Sequence, residues 1–194
     1  MFLHIGHACY MIAIMLCPFI DLLEDTPART LHVAANEMVV DRGETVVSLF
    51  IVKSGMVHLL RFQENGDAVV LQRAGEGAVV AEASVFAETY HCAVVAVQAS
   101  RLLVYPMAKV GALLAQNPNA ALAYSRHLAG EVREARKRAE ILALKTVSAR
   151  LSAWLTWNHG LLPARGTWHH VADEIGISKE ALYRELSKRR QQKE

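Results

Sequence analysis

Lys179, Glu180 and Arg184 stand one, two and six places after Ser178. Positions 180 and 184 are one turn apart on a helix and share a face. There Arg184 can fork onto O6 and N7 of a guanine, and Glu180 can accept from N4 of a cytosine. Lys179 reaches either a guanine or a phosphate. Tyr183, Thr167, His169 and His170 are candidate phosphate contacts, which orient a protein on a duplex without reading its sequence. Lys188, Arg189, Arg190 and Lys193 would add nonspecific attraction and salt dependence. The plainer alternative is an ordinary i,i+4 pair of Glu180 and Arg184 on a solvated helix.

The surrounding residues decide between these. Trp168–Lys188 reads as two short helices around a tight turn. Ala172 is small where two helices cross closely. Gly176 sits at the turn, where a positive φ comes cheaply only to glycine. Ser178 is a natural N-cap for the second helix, and Thr167 can cap the first. Val171, Ile175, Ile177, Leu182 and Leu186 supply the apolar positions that pin the pair. This framework favours a helix-turn-helix, which pushes the N-terminal end of its second helix into the major groove.

Upstream, Ala120–Leu144 reads as one long helix. Leu128, Val132, Ala135, Ala139 and Leu142 are spaced 4, 3, 4, 3, a narrow a/d seam, with Ala121 one heptad before it. The remaining faces are charged, which suits a two-stranded coiled coil between two copies better than a broad core face. The other reading is a helix lying on its own barrel. Lys145–Thr146 reads as a hinge, and Val147–Trp157 as a further amphipathic helix ended by Asn158-His159-Gly160. Met107–Ala115 is a short helix stopped at Asn117-Pro118-Asn119. From Leu31 to Pro106 short Val- and Leu-rich strands alternate with turn signals, Asn65-Gly66 the strongest hairpin among them. Many short strands at regular spacing predict a small antiparallel sandwich or roll.

Charge divides along the chain. Residues 1–110 carry 7 Lys/Arg against 11 Asp/Glu, a net of −4, and residues 111–194 carry 14 against 8, a net of +6. An acidic front and a basic rear suit a sensor joined to a polyanion binder. Three cysteines, Cys9, Cys17 and Cys92, make no disulfide framework and point to a reducing cytoplasm. The apolar run Ala8–Ile20 is 13 residues, short of a membrane span, and lacks a signal-peptide pattern, so no membrane is expected. His4, His7, Cys9 and Cys17 match no tight metal site. Catalysis is not expected: the roll offers only His32, His58 and His91, without His-x-His spacing, and there is no nucleophilic triad or phosphate-cradling glycine loop. A cupin-like metalloenzyme is thus the remote alternative.

In this order, roll, long helix, hinge, helix and helix-turn-helix resemble the Crp/Fnr family of bacterial transcription regulators over Leu31–Lys188. Phe50–Val57 resembles the family's strand–Ser-Gly–strand signature. Glu82 with Val85-Phe86 resembles the Gly-Glu…Phe of its effector cassette, and Leu102–Pro106 its final strand. Ala172, Gly176, Ser178, Glu180 and Arg184 fall in family positions of the DNA-reading motif. The resemblance implies an α+β protein: a cyclic-nucleotide-binding-like β-roll (residues 31–116) after an N-terminal segment (1–30), a dimerisation helix (117–145) and a winged-helix-type DNA-binding domain (146–194). It implies a cytoplasmic homodimer reading a palindromic site on double-stranded DNA, with RNA polymerase as a further partner.

This chain also departs from the family. The Gly position is Ala81, and the Arg-Ser/Thr pair that holds a cyclic phosphate is replaced by Tyr90-His91-Cys92, with no arginine between Arg73 and Arg101. A buried phosphate without its cation is costly, which argues against cAMP. Glu82, Tyr90, His91 and Cys92 remain the candidate effector pocket, with the effector unknown and no cofactor expected. Three cysteines exclude a four-cysteine iron–sulfur cluster. Neighbouring strand positions would send His91 and Cys92 to opposite faces, which counts against a shared haem site. Cys92 reads best as a small buried hydrophobe, with a redox-sensing thiol second. Only Arg189–Glu194 follow the reader helix, so the wing is truncated or absent, and a sensor that has lost DNA binding is the second reading.

Overall fold

The structure, a computed structural model, describes residues 18–191. His4, His7, Cys9, Cys17, Lys193 and most of the run Ala8–Ile20 lie outside the described residues. After a short helix α1 (Pro18–Asp21) come strands β1 (Arg29–Val33), β2 (Met38–Val40), β3 (Ser48–Ser54), β4 (Val57–Phe62), β5 (Ala68–Ala74), β6 (Val79–Val80), β7 (Ala93–Ala96) and β8 (Ser100–Pro106). They make two four-stranded sheets, ordered β1-β8-β3-β6 and β2-β7-β4-β5, with every pairing antiparallel.

Strand periodicity explains why β3 and β8 are nearly continuous apolar runs. Successive side chains point to opposite faces. Phe50 and Val52 of β3, with Leu102 and Val104 of β8, enter the core between the sheets. Leu49 and Ile51, with Leu103 and Tyr105, face a second core against Phe19, Leu23, Val110, Ala123 and Tyr124. Both faces of this pair are therefore covered, whereas β5 is mostly exposed.

Two turns show what their glycines do. Gly55 has φ +94°, and a Cβ there would lie 2.3 Å from Ser100 Oγ, which accepts from the Met56 amide at 3.0 Å. No side chain fits. The Asn65-Gly66 hairpin forms as expected between β4 and β5, but through Gln63–Asp67 rather than a two-residue turn, with Asp67 N donating to Asn65 Oδ1.

Helices α2 (Met107–Gln116) and α3 (Pro118–Ala143) follow. Asn117-Pro118-Asn119 ends one helix and also starts the next: Asn117 Oδ1 accepts from the amides of Asn119 and Ala120, and Pro118 takes the first helical position, where a missing N–H costs nothing. Then come α4 (Val147–Trp157), α5 (Trp168–Glu174) and α6 (Lys179–Gln191). The chain divides into two compact units between Leu128 and Ala129, so α3 contributes to both. In the second unit Ile141, Leu151, Trp154, Trp168, Val171, Ala172, Ile175, Leu182 and Leu186 form one core. Among the described residues no helix is long and apolar enough to cross a membrane.

Candidate nucleic-acid interface

The turn between α5 and α6 has the conformation its sequence demands. Gly176 has φ +63°. Ile177 N donates to Ala172 O at 3.0 Å, closing α5, and Ser178 Oγ accepts from Ala181 N at 3.2 Å, opening α6 as an N-cap. Ala172, Ile175 and Leu182 are fully buried, so the two helices are clamped through their apolar faces.

That clamping leaves Lys179, Glu180, Tyr183 and Arg184 exposed along the start of α6. The Glu180 carboxyl is held below its usual range, first by its own backbone amide and then by the Ser178 hydroxyl; the charge of Arg184 acts last. The cap groups therefore outweigh Arg184 in their effect on this carboxyl. Tyr183 packs its ring on Trp168 with centroids 5.5 Å apart. His169 and His170 are half-buried, their rings 3.9 Å apart.

Two expectations need correction here. Thr167 precedes α5 but does not cap it: its hydroxyl donates to Ala164 O at 2.9 Å, drawn off by a 3-10 turn, Arg165–Thr167, that runs straight into the helix. Arg189 is not a solvated cation. Its Nε donates to Glu185 Oε1 at 2.8 Å, and its Nη2 to Ser148 O at 2.7 Å and Ser152 Oγ at 2.8 Å. It braces the C-terminal half of α6 against α4, and it holds the Glu185 carboxyl below the usual range. Its sequence neighbourhood, a basic run, concealed this.

The seam residues differ in setting. Leu128 packs against the second core of the roll unit. Val132 and Leu142 are each 46% exposed, and Ala135 and Ala139 are exposed too. Ile141, next to Leu142, is the residue that anchors this end of α3 in the helical core.

In the roll, Glu82 lies buried in a 3-10 turn, Glu82–Ser84, preceded by Ala81 at φ +67°. Such a left-handed backbone favours glycine over a residue with a Cβ. Tyr90 and Cys92 belong to the core between the sheets; the Tyr90 hydroxyl donates to Ser48 O at 2.8 Å, and burial pushes its pKa up. His91 is exposed, but its ring turns back. Nδ1 is 3.2 Å from Ser84 Oγ and Nε2 is 3.7 Å from Cys92 Sγ. The two side chains thus do not diverge, because residues 91 and 92 form a bend before β7 and lack strand geometry. Burial, then the charge of Glu82, pushes the Cys92 thiol up; partial burial, then Arg61, holds His91 down. Among the described residues no three His, Cys, Asp or Glu gather as a metal site.

Two residues from elsewhere in the chain reach this turn. Arg61 on β4 donates from Nη2 to His91 O at 3.2 Å, bringing a cation where the local sequence has none. Tyr124 on α3 donates to Glu82 O at 2.6 Å and stacks edge-on to Phe86 with centroids 6.0 Å apart. It ties the turn to the helix that carries the seam. Neither has a local sequence signal, since each acts across a long separation in the chain.

The sequence model of the cyclic nucleotide-binding domain matches residues 30–117. The roll is thus similar to that domain. No curated protein matches the chain by sequence. Solved structures carry the likeness beyond the cyclic nucleotide-binding domain. FixK2 from Bradyrhizobium japonicum is 19% identical over 86% of each chain, with a TM-score of 0.70. CLP from Xanthomonas campestris, a c-di-GMP-responsive global regulator, is 18% identical over 90% of this chain and 92% of its own, with a TM-score of 0.65. A CRP-family transcriptional regulator from Thermus thermophilus is 18% identical over 84% of this chain and 85% of its own, with a TM-score of 0.59. The fold, cyclic nucleotide-binding domain followed by helices, is thus that of Crp/Fnr regulators.

Proposed function

We propose that this protein is a DNA-binding transcriptional regulator of the Crp/Fnr type, a homodimer that reads a palindromic site with α6. The reading is carried by one observation: a helix capped by Ser178 and pinned on a buried core presents Lys179, Glu180 and Arg184 at its exposed start. Arg184 forks onto guanine, Glu180 accepts from cytosine, and Lys179 takes a guanine or phosphate. Tyr183, His169 and His170 touch phosphates. The exposed stripe of Val132, Ala135, Ala139 and Leu142 on a charged helix supports pairing with a second copy. Two readers spaced by such a seam meet half-sites ~34 Å apart.

In this reading the roll is the sensor. A signal enters at Glu82–Cys92 and reaches α3 through Tyr124. The effector is not cAMP: Tyr90 and Cys92 fill the space between the sheets, and Arg61 is engaged with the His91 carbonyl. The chain catalyses no reaction. RNA polymerase is the further partner carried over by the resemblance.

The test is selection of duplexes from a random pool by the purified protein. A palindromic consensus is expected, with affinity falling steeply as salt rises. Arg184→Ala should cost about 1–3 kcal/mol on the selected duplex and relax the preference at one base. A folded dimer that shifts no duplex at low salt defeats this reading and favours a sensor acting through protein contacts.

A further inference from the structure

Arg150, on the first turn of α4, uses all three guanidinium nitrogens. Nε donates to Leu144 O at 2.8 Å and Nη2 to Leu142 O at 3.0 Å. Nη1 donates to Gly176 O at 2.9 Å and to Ile175 O at 3.2 Å. The first two carbonyls end α3, and the other two form the turn after α5. Both are helix C-termini, where carbonyls lack intrahelical partners and carry partial negative charge. One cation therefore satisfies two helix ends at once. The fork is specific to arginine, because a lysine offers three donors from a single point and cannot span four acceptors on two segments.

A second contact acts on the same turn. A Cβ on Gly176 would sit 2.7 Å from Leu142 Cδ2 and 3.3 Å from Arg150 Nη1. Leu142 and Arg150 thus both press on Gly176, whose positive φ sets the entry into α6. Lys145–Thr146, which the sequence presents as a hinge, is bridged by these hydrogen bonds.

We infer that Arg150 is a positioning residue that locks the last turn of α3 to the turn before α6, so that the seam end and the reader move as one body. The inference rests on the DNA-reading proposal for its consequence: the spacing between half-sites is set rigidly by the seam.

Two measurements on the full chain test it. The first needs no DNA. In amide hydrogen exchange of the unaltered protein, the last turn of α3 and residues 175–182 should open as one cooperative unit. In Arg150→Lys both should exchange about tenfold faster, the loss of hydrogen bonds to charge, while the amides of α4 change little. The control is Thr146→Ala, which removes the Thr146 Oγ1 bond to Ala149 N and weakens α4 without touching the clamp. The second measurement uses duplexes selected by the unaltered protein, with one or two base pairs inserted between half-sites. The unaltered protein and Thr146→Ala should lose about tenfold or more in affinity per insertion, whereas Arg150→Lys should flatten that dependence and keep its affinity for a single half-site. Separate opening of the two segments in the unaltered protein overturns the inference. So does an Arg150→Lys variant that keeps the steep spacing dependence, or a control that flattens it as well. If no duplex is selected, the DNA-reading proposal fails and the exchange measurement alone decides the clamp.

Discussion

Replacing Tyr124 by Phe removes one oxygen from the junction of the Glu82 turn with α3. The hydroxyl donates to Glu82 O at 2.6 Å, and the residue is 4% exposed, so the variant leaves a buried carbonyl without this donor. The cost near neutral pH is about 1–2 kcal/mol. Alkaline pH separates this cause from lost packing. Burial, then the charge of Glu82, pushes the Tyr124 phenol from 10.0 to about 12. A pKa raised in the folded state contributes stability that is complete below the unfolded value and is lost as pH rises through the folded one. At about 1.4 kcal/mol per unit, the phenol alone withdraws roughly 1.4 kcal/mol by pH 11 and about 2.7 kcal/mol above pH 12. The Phe variant has no such group. The gap between the two proteins should therefore be about 1.5 kcal/mol at pH 7 and close to zero at pH 11. Guanidinium chloride unfolding followed by far-ultraviolet circular dichroism reads it. A gap that stays constant from pH 7 to pH 11, or no gap at pH 7, refutes the reasoning.

Two more expectations follow from the same geometry. Gly176→Ala forces a left-handed backbone on a residue with a Cβ, at about 1–2 kcal/mol, and pushes the tip of Leu142 aside; a total loss of about 2–3 kcal/mol should appear in tryptophan-monitored unfolding, and a loss below about 0.5 kcal/mol would show that the turn relaxes freely. Cys92, buried and with its thiol pushed up, should resist iodoacetamide at pH 8 until the protein unfolds; peptide mass spectrometry showing labelling at the rate of an exposed thiol would restore a redox role.

Much of the helix-turn-helix was legible because its signals are local. Gly176 needs its φ wherever the rest of the chain goes, Ser178 caps the helix three residues ahead of it, and Val171, Ile175, Leu182 and Leu186 follow helical period. Local reasoning failed where a second segment competed. The Thr167 hydroxyl went to Ala164, and Arg189, in a run that reads as solvated charge, went to α4. At His91 and Cys92 strand alternation does not apply, because the two residues lie in a bend.

The sequence by itself determined the two-layer roll, through period-two alternation and turn residues, and the helix-turn-helix, through the Ser178 cap, a glycine and helical spacing. These depend on φ/ψ preferences and on residues within a few places of one another. Only the tertiary structure decided which polar groups meet. Tyr124 with Glu82, Arg61 with His91, and Arg150 with Leu142, Leu144, Ile175 and Gly176 are pairings between segments far apart in the chain or across a helix break. A hydrogen bond demands a donor and an acceptor within about 3 Å. No composition or period encodes that distance; it exists only once the cores have closed and the buried carbonyls at turns and helix ends must find partners.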